Sequence, residues 1–136
     1  MSKSPKSVNP KDWPRPSGYS TAMIAEGAII AIAGQIGWDP ITEKLVSDDL
    51  VQQSRQALAN VLTALEAAGG KPEHLIRLTW YITNREVYLK SLSKLGKAYR
   101  DELGNHYPAM SVVVVSTLLE KAAQVKIEAT AVIPAK

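Results

Sequence analysis

Residues 124–133 read QVKIEATAVI, and this stretch decides the fold. Apolar and polar side chains alternate along it, which is typical of a strand with one face against a core. Glu128 lies on the opposite face from the apolar side chains. The apolar face carries Val125, Ile127, Ala129, Ala131 and Ile133.

Two earlier segments also have the character of strands. Residues 20–26 are moderately apolar, and residues 28–33 (AIIAIA) form a continuous apolar run. Gly27 separates them, which predicts a β-hairpin whose second strand is buried on both faces.

Residues 75–83 (LIRLTWYIT) are rich in β-branched and aromatic side chains and are predicted to be a strand. Trp80 and Tyr81 fall on its two opposite faces, so we expect one in the core and the other turned away from it. Residues 109–116 form another strand, and the valines at 112–115 give it apolar side chains on both faces.

Two amphipathic helices are predicted between these strands. The first begins near Ser47 as its N-cap and ends at Gly69, with an apolar stripe at helical spacing. The second runs from about Arg85 to Leu103, with Asn84 as its cap.

The resulting order is ββαβαββ, which predicts an α+β domain over residues 19–136 with two helices on one face of a sheet. Two helices cover only one face of such a sheet. The other face must therefore be solvated or covered by a partner. Because the run at 112–115 is apolar on both faces, we expect self-association into a homo-oligomer.

Composition excludes several kinds of site. The 136 residues include no cysteine, which rules out a disulfide scaffold, a cysteine-ligated zinc site, an iron–sulfur cluster and a cysteine nucleophile. The two histidines, His74 and His106, are far apart in sequence. We therefore expect no metal and no cofactor.

The basic charge is confined to the N-terminal segment. Residues 1–16 hold four basic residues and one acidic residue, which accounts for the whole net charge of +3. We interpret residues 1–18 as an extended, proline-rich basic segment without the apolar core of a secretory signal. No apolar run is long enough to span a membrane. These features predict a cytoplasmic protein, and the neutral body argues against a nucleic-acid partner.

Several motifs in the body resemble a known family. They are GQI at 34–36 followed by Asp39-Pro40 and Leu45-Val46, QALANVLTALEAAGG at 56–70, and Pro108-Ala109 followed by VKIEATAV at 125–132. In this order and spacing they resemble the RidA (YjgF-like) family over about residues 19–133. The resemblance implies a chorismate-mutase-like fold and homotrimers with ligand clefts between subunits. It also implies hydrolysis of reactive enamines or imines to a carbonyl compound and ammonia.

One position departs from the family pattern. The family motif PARS uses its arginine to hold the substrate carboxylate in a bidentate ion pair, and this chain has Met110 there. Methionine binds no carboxylate, so the resemblance with this change implies a more apolar cleft. The substrate is then expected not to be a small 2-imino acid held by arginine. Met110 could instead simply pack a subunit contact. The nearest basic residues in sequence are Arg100 and Lys121.

The resemblance also supplies candidate site residues. Glu128 aligns with the glutamate that handles a water or proton, and is the candidate catalytic residue. The alternative is an ordinary strand glutamate paired with Lys126 of a neighbouring copy. The candidate substrate-binding residues are Tyr19, Ala33, Gly34, Trp38, Tyr107 and Met110.

Three functions remain open from the sequence. The first is an enamine or imine deaminase, and the second is a non-catalytic homologue that binds a small metabolite. The third is a ribonuclease or RNA-binding protein, because some relatives have been described as ribonucleases.

Overall fold

The computed structural model describes residues 4–135. The strands are β1 (Lys6–Val8), β2 (Ala22–Ile24), β3 (Gly27–Gln35), β4 (Trp38–Asp39), β5 (Lys44–Leu45), β6 (Leu75–Ile82), β7 (Ala109–Val114) and β8 (Val125–Pro134). The helices are α1 (Leu50–Ala67), α2 (Arg85–Lys90) and α3 (Leu92–Leu103). None of the helices in residues 4–135 combines the length and the apolar character that a membrane-spanning segment needs.

The main sheet is mixed and four-stranded, in the order β3-β8-β6-β7. Only the β6–β7 pair is parallel, and the other two pairs are antiparallel. Helix α1 packs on β8 and β3, and α3 packs on α1. The helices thus cover one face of the sheet, which confirms the predicted α+β class.

The alternation along β8 is confirmed over residues 125–131 and ends at Val132, which is buried as well. Val125, Ile127, Ala129 and Ala131 are buried beneath the helices, and Ile133 is half-buried. Glu128 lies between two buried positions and therefore faces the other side of the sheet, which none of the described helices covers. We call this side the open face.

The predicted hairpin around Gly27 is wrong. Strand β2 pairs with β1, from the N-terminal segment, and β3 pairs with β8 instead. Residues 6–8 lie between two prolines but contain none, so their amides are free to form a short ladder. Gly27 does allow a close approach, because a Cβ there would lie 1.9 Å from the carbonyl oxygen of Ile133.

The second predicted helix is divided into α2 and α3 at Ser91. The Ser91 hydroxyl donates to the Val87 carbonyl at 2.7 Å, and the Ser91 backbone has left the helical region. The first helix begins at Leu50 rather than near Ser47. Asp49 is its N-cap, and its carboxylate accepts from the Gln52 amide at 3.0 Å.

A buried glutamine ties α1 to the loop that precedes β8. The Gln53 side-chain amide donates to the carbonyls of Ser47 at 2.9 Å and Ala122 at 3.1 Å. Its oxygen accepts from the Gln124 amide at 2.8 Å, and the residue is fully buried. These bonds fix the start of β8 relative to the helix.

Replacing Gln53 by leucine should lower the free energy of unfolding by about 3 kcal/mol, because three backbone groups lose their hydrogen bonds to this fully buried side chain. Gln52→Leu is the matched control, since Gln52 is exposed on the same helix. This variant should change the free energy of unfolding by no more than about 0.5 kcal/mol. Urea unfolding at one protein concentration measures both. Equal midpoints for the two variants would show that the network does not stabilise the fold.

Candidate functional site

The structure distributes the predicted site residues over three depressions of the single chain. Tyr107 and Met110 line a cavity of about 460 Å³, whereas Gly34 and Trp38 line a separate one of about 410 Å³. Glu128 lies in a third, of about 210 Å³. One chain therefore does not gather these five residues into one site.

The cavity lined by Tyr107 and Met110 lies between the sheet and the helices α2 and α3. Met110 pairs with Leu78 in the β6–β7 ladder, which places its side chain on the helix-facing side. Trp80, Tyr88 and Tyr99 also line this space. We call it the tyrosine cavity.

Two rings of this cavity stack on each other. Tyr99 and Tyr107 have centroids 5.4 Å apart and planes 17° apart. The Tyr99 hydroxyl donates to the His106 carbonyl at 2.5 Å, and burial raises the pKa of Tyr99. Burial also raises the pKa of Tyr88. Both phenols therefore remain neutral near neutral pH, so the aromatic walls carry no charge.

The segment around Tyr19 closes one side of the tyrosine cavity. Ser17 and Gly18 line it, and the Ser20 amide donates to the Pro108 carbonyl at 3.0 Å. The Ser20 hydroxyl also donates to the Tyr107 carbonyl at 2.5 Å. Tyr19 itself is 45% exposed and does not line the cavity.

Glu128 is held by a tyrosine that sequence reasoning did not assign to the site. The Tyr81 hydroxyl donates to Glu128 Oε1 at 2.7 Å. This hydrogen bond, followed by partial burial and the charge of Glu128, raises the pKa of Tyr81. The sequence placed Tyr81 opposite Trp80 correctly, but only the β6–β8 register brings it to Glu128. Arg77 lines the same depression.

The GQI segment borders the second cavity. A Cβ at Gly34 would lie 2.7 Å from Lys126 Cε, so a side chain there would displace the lysine. Ala33 is exposed at an irregularity of β3, where the ladder to β8 shifts between Ile32 and Gln35. Across residues 4–135, no three acidic or histidine side chains come together as metal ligands.

Sequence reasoning missed two further residues of the tyrosine cavity. Trp80 lines it, whereas the sequence left open whether Trp80 or Tyr81 lies on the core side, and its buried indole nitrogen has no hydrogen-bond partner within the described chain. Arg100 also lines it. The sequence marked Arg100 only as a basic residue near Met110, because the rotation of α3 about its axis is set by packing.

Comparisons with known proteins agree on one family. The family model described as endoribonuclease L-PSP matches residues 12–133. A RutC family protein of Pyrococcus horikoshii is 36% identical over 118 residues, which are 87% of this chain and 90% of that protein. A goat (Capra hircus) protein named 2-iminobutanoate/2-iminopropanoate deaminase is 31% identical, over 84% of this chain and 79% of that protein.

Solved structures give the same result. A protein of unknown function of the conserved Rid family from Yersinia pestis superposes with a TM-score of 0.84 at 29% identity. The match covers 96% of this chain and 99% of that one. E. coli TdcF, solved with bound serine, has a TM-score of 0.67 at 28% identity, over 96% of this chain and 94% of that one.

Replacing Glu128 by glutamine should lower the pKa of Tyr81 toward the ordinary tyrosine value of about 10, because the acceptor loses its charge. The NMR signals of isotope-labelled tyrosine, followed against pH, measure this, and Tyr81→Phe identifies the signal. The Tyr107 signal in the same spectra is the internal control. An unchanged Tyr81 titration in Glu128→Gln would contradict the interaction.

Proposed function

Because the chain belongs to the endoribonuclease L-PSP family, which includes the Rid proteins, we propose that it hydrolyses a reactive enamine or imine to a carbonyl compound and ammonia. The observation that carries this proposal is Glu128, oriented by Tyr81 on the open face of the sheet. A carboxylate fixed in this way suits the transfer of a proton to and from water.

The proposal includes association of copies through the open face into a homotrimer. Ile29 is 75% exposed and Val113 is 43% exposed, and both project from that face. Apolar side chains exposed in this way favour a protein contact. The cleft would then combine the tyrosine cavity of one copy with Glu128 and Gly34 of the next.

The reaction needs one proton-transfer group and one water. Glu128 takes a proton from water as the water oxygen attacks the imine carbon, forming a carbinolamine. The carboxyl group returns that proton to the nitrogen. The carbon–nitrogen bond then breaks while the carbinolamine hydroxyl passes its proton through the Glu128 carboxylate to the departing nitrogen, so that the carbonyl compound and ammonia leave. An enamine enters the same path after protonation at carbon gives the imine.

The cavity around Met110 supports a substrate other than a small 2-imino acid. Met110 supplies no charge, and aromatic rings at Trp80, Tyr99 and Tyr107 form the walls. Such walls favour a flat, apolar substrate body. TdcF, by contrast, was solved with the small amino acid serine, and the goat relative is named for two small imino acids.

Glu128→Gln should lower kcat for imine hydrolysis at least about 100-fold, because the water loses its base. Ammonia release from a panel of imines, generated in place by an amino-acid oxidase, measures this. Glu66→Gln is the matched control, since Glu66 is exposed on α1, far along the chain from the site, and should retain full activity.

Ammonia release from the same panel of imines also helps to distinguish the deaminase from a non-catalytic binder and a ribonuclease. Unchanged turnover in Glu128→Gln would contradict the catalytic role of Glu128. No turnover of any imine, with a metabolite bound by the purified protein, would favour a non-catalytic binder instead. A ribonuclease would require RNA cleavage by the wild type, which a neutral body does not favour.

Met110→Arg should raise kcat/KM for a small 2-imino acid at least tenfold, because an arginine at this position pairs with the carboxylate. Turnover of 2-iminopropanoate by the two proteins measures the effect. Met110→Gln is the control for polarity without charge and should give no such gain. An equal gain in both variants would show that charge at position 110 does not set the substrate.

A further inference from the structure

We propose that the tyrosine cavity binds an acidic group through Arg100 and the Trp80 indole N–H, so that its ligand combines a flat apolar body with an anion. The proposal rests on the proposed function only in treating this ligand as the substrate. The anion is recognised from helix α3, and not from position 110 on β7.

Arg100 is a cation without an ion-pair partner in the described part of the chain. It is the single charged residue among the described residues that line the cavity. In residues 4–135 it forms no ion pair, whereas the neighbouring Asp101 already pairs with Arg55 and Lys97. Its guanidinium can therefore form a bidentate pair with a carboxylate or phosphate without breaking another contact.

A glycine one helical turn earlier leaves room for this guanidinium. A Cβ at Gly96 would lie 3.2 Å from Arg100 Nη1, closer than an ordinary van der Waals contact. Gly96 itself lines the cavity. The bare helix surface at Gly96 lets the arginine lie back along α3, beside the space where a ligand would bind.

Trp80 supplies a second, independent indication of a ligand. The residue is 4% exposed, it lines the cavity, and its Nε1–H has no acceptor in the described part of the chain. Buried donors in folded proteins almost always have a partner, from the protein, water or a ligand. The indole nitrogen is closed off from the cavity as it stands, so a ligand oxygen in the cavity would satisfy this group after a small shift of the ring.

The size of the cavity indicates the rest of the ligand. A cavity of about 150 Å³ holds a benzene molecule, and this one is about 460 Å³. The stacked pair Tyr99–Tyr107 offers flat walls. A ring with a short acidic side chain therefore fits the space, the walls and the charge together.

Binding of 3-phenylpropionate and its uncharged amide, measured by isothermal titration calorimetry, tests the proposal without any reaction. The wild type should bind the acid at least tenfold more tightly than the amide. Arg100→Gln should abolish this preference, and Arg100→Lys should retain part of it. Lys94→Gln, an equal loss of charge at an exposed position on α3, should leave it unchanged.

Two more variants test whether the ligand binds in the tyrosine cavity. Trp80→Phe should weaken acid binding while keeping the apolar wall, and Gly96→Leu should block both ligands by filling the cavity. Circular dichroism confirms that each variant is folded. Equal affinity for acid and amide, a preference that survives Arg100→Gln, or normal binding in Gly96→Leu would each overturn the proposal.

The outcomes for this inference and for the proposed function are distinguishable. Binding of the acid through Arg100, with no turnover of any imine, would refute the deaminase and leave this inference standing. Imine turnover that depends on Glu128, together with acid binding that does not depend on Arg100, would support the deaminase and overturn this inference.

Discussion

The alternation of side chains along β8 is the constraint on which the rest of the structure depends. Ile127 and Ala129 are both packed beneath the helices, so Glu128 between them has to face the open side. A shift of one residue would exchange the two faces and bury the carboxylate in the core. The burial that stabilises the fold therefore also fixes the position of the candidate catalytic group.

The buried Gln53 side chain fixes this register through its hydrogen bonds. It holds the Gln124 amide immediately before β8 begins, and it joins that point to the N-terminal turn of α1. The alternation along one strand decides which side chains face the core. The pairing register of that strand with its neighbours still has to be fixed. The Tyr81–Glu128 hydrogen bond depends on that alignment, since the two residues lie on adjacent strands. A buried amide therefore contributes to the geometry of a site on the opposite face of the sheet.

Periodicity predicted the parts of the fold that are long and strongly patterned. Strand β8, helix α1 and the α+β class follow from burial of one face, which the sequence displays directly. The pairing of β2 with β1 was missed because a three-residue strand carries no signal of its partner. The break at Ser91 depends on one side-chain hydrogen bond. Arg100 and Tyr81 were not assigned to a site because helix rotation and strand register are tertiary properties.

The sheet itself separates the two chemical elements of the candidate site. Met110 faces the helices, whereas Glu128 shares the open face with Thr79 and its ladder partner Ser111. A small ligand in the tyrosine cavity of one chain therefore has the sheet between it and the Glu128 of that same chain. Contact with both is possible only if a second copy brings its open face to the edge of the first. If the deaminase proposal holds, catalysis is then a property of the assembly, and each chain contributes binding on one side and proton transfer on the other.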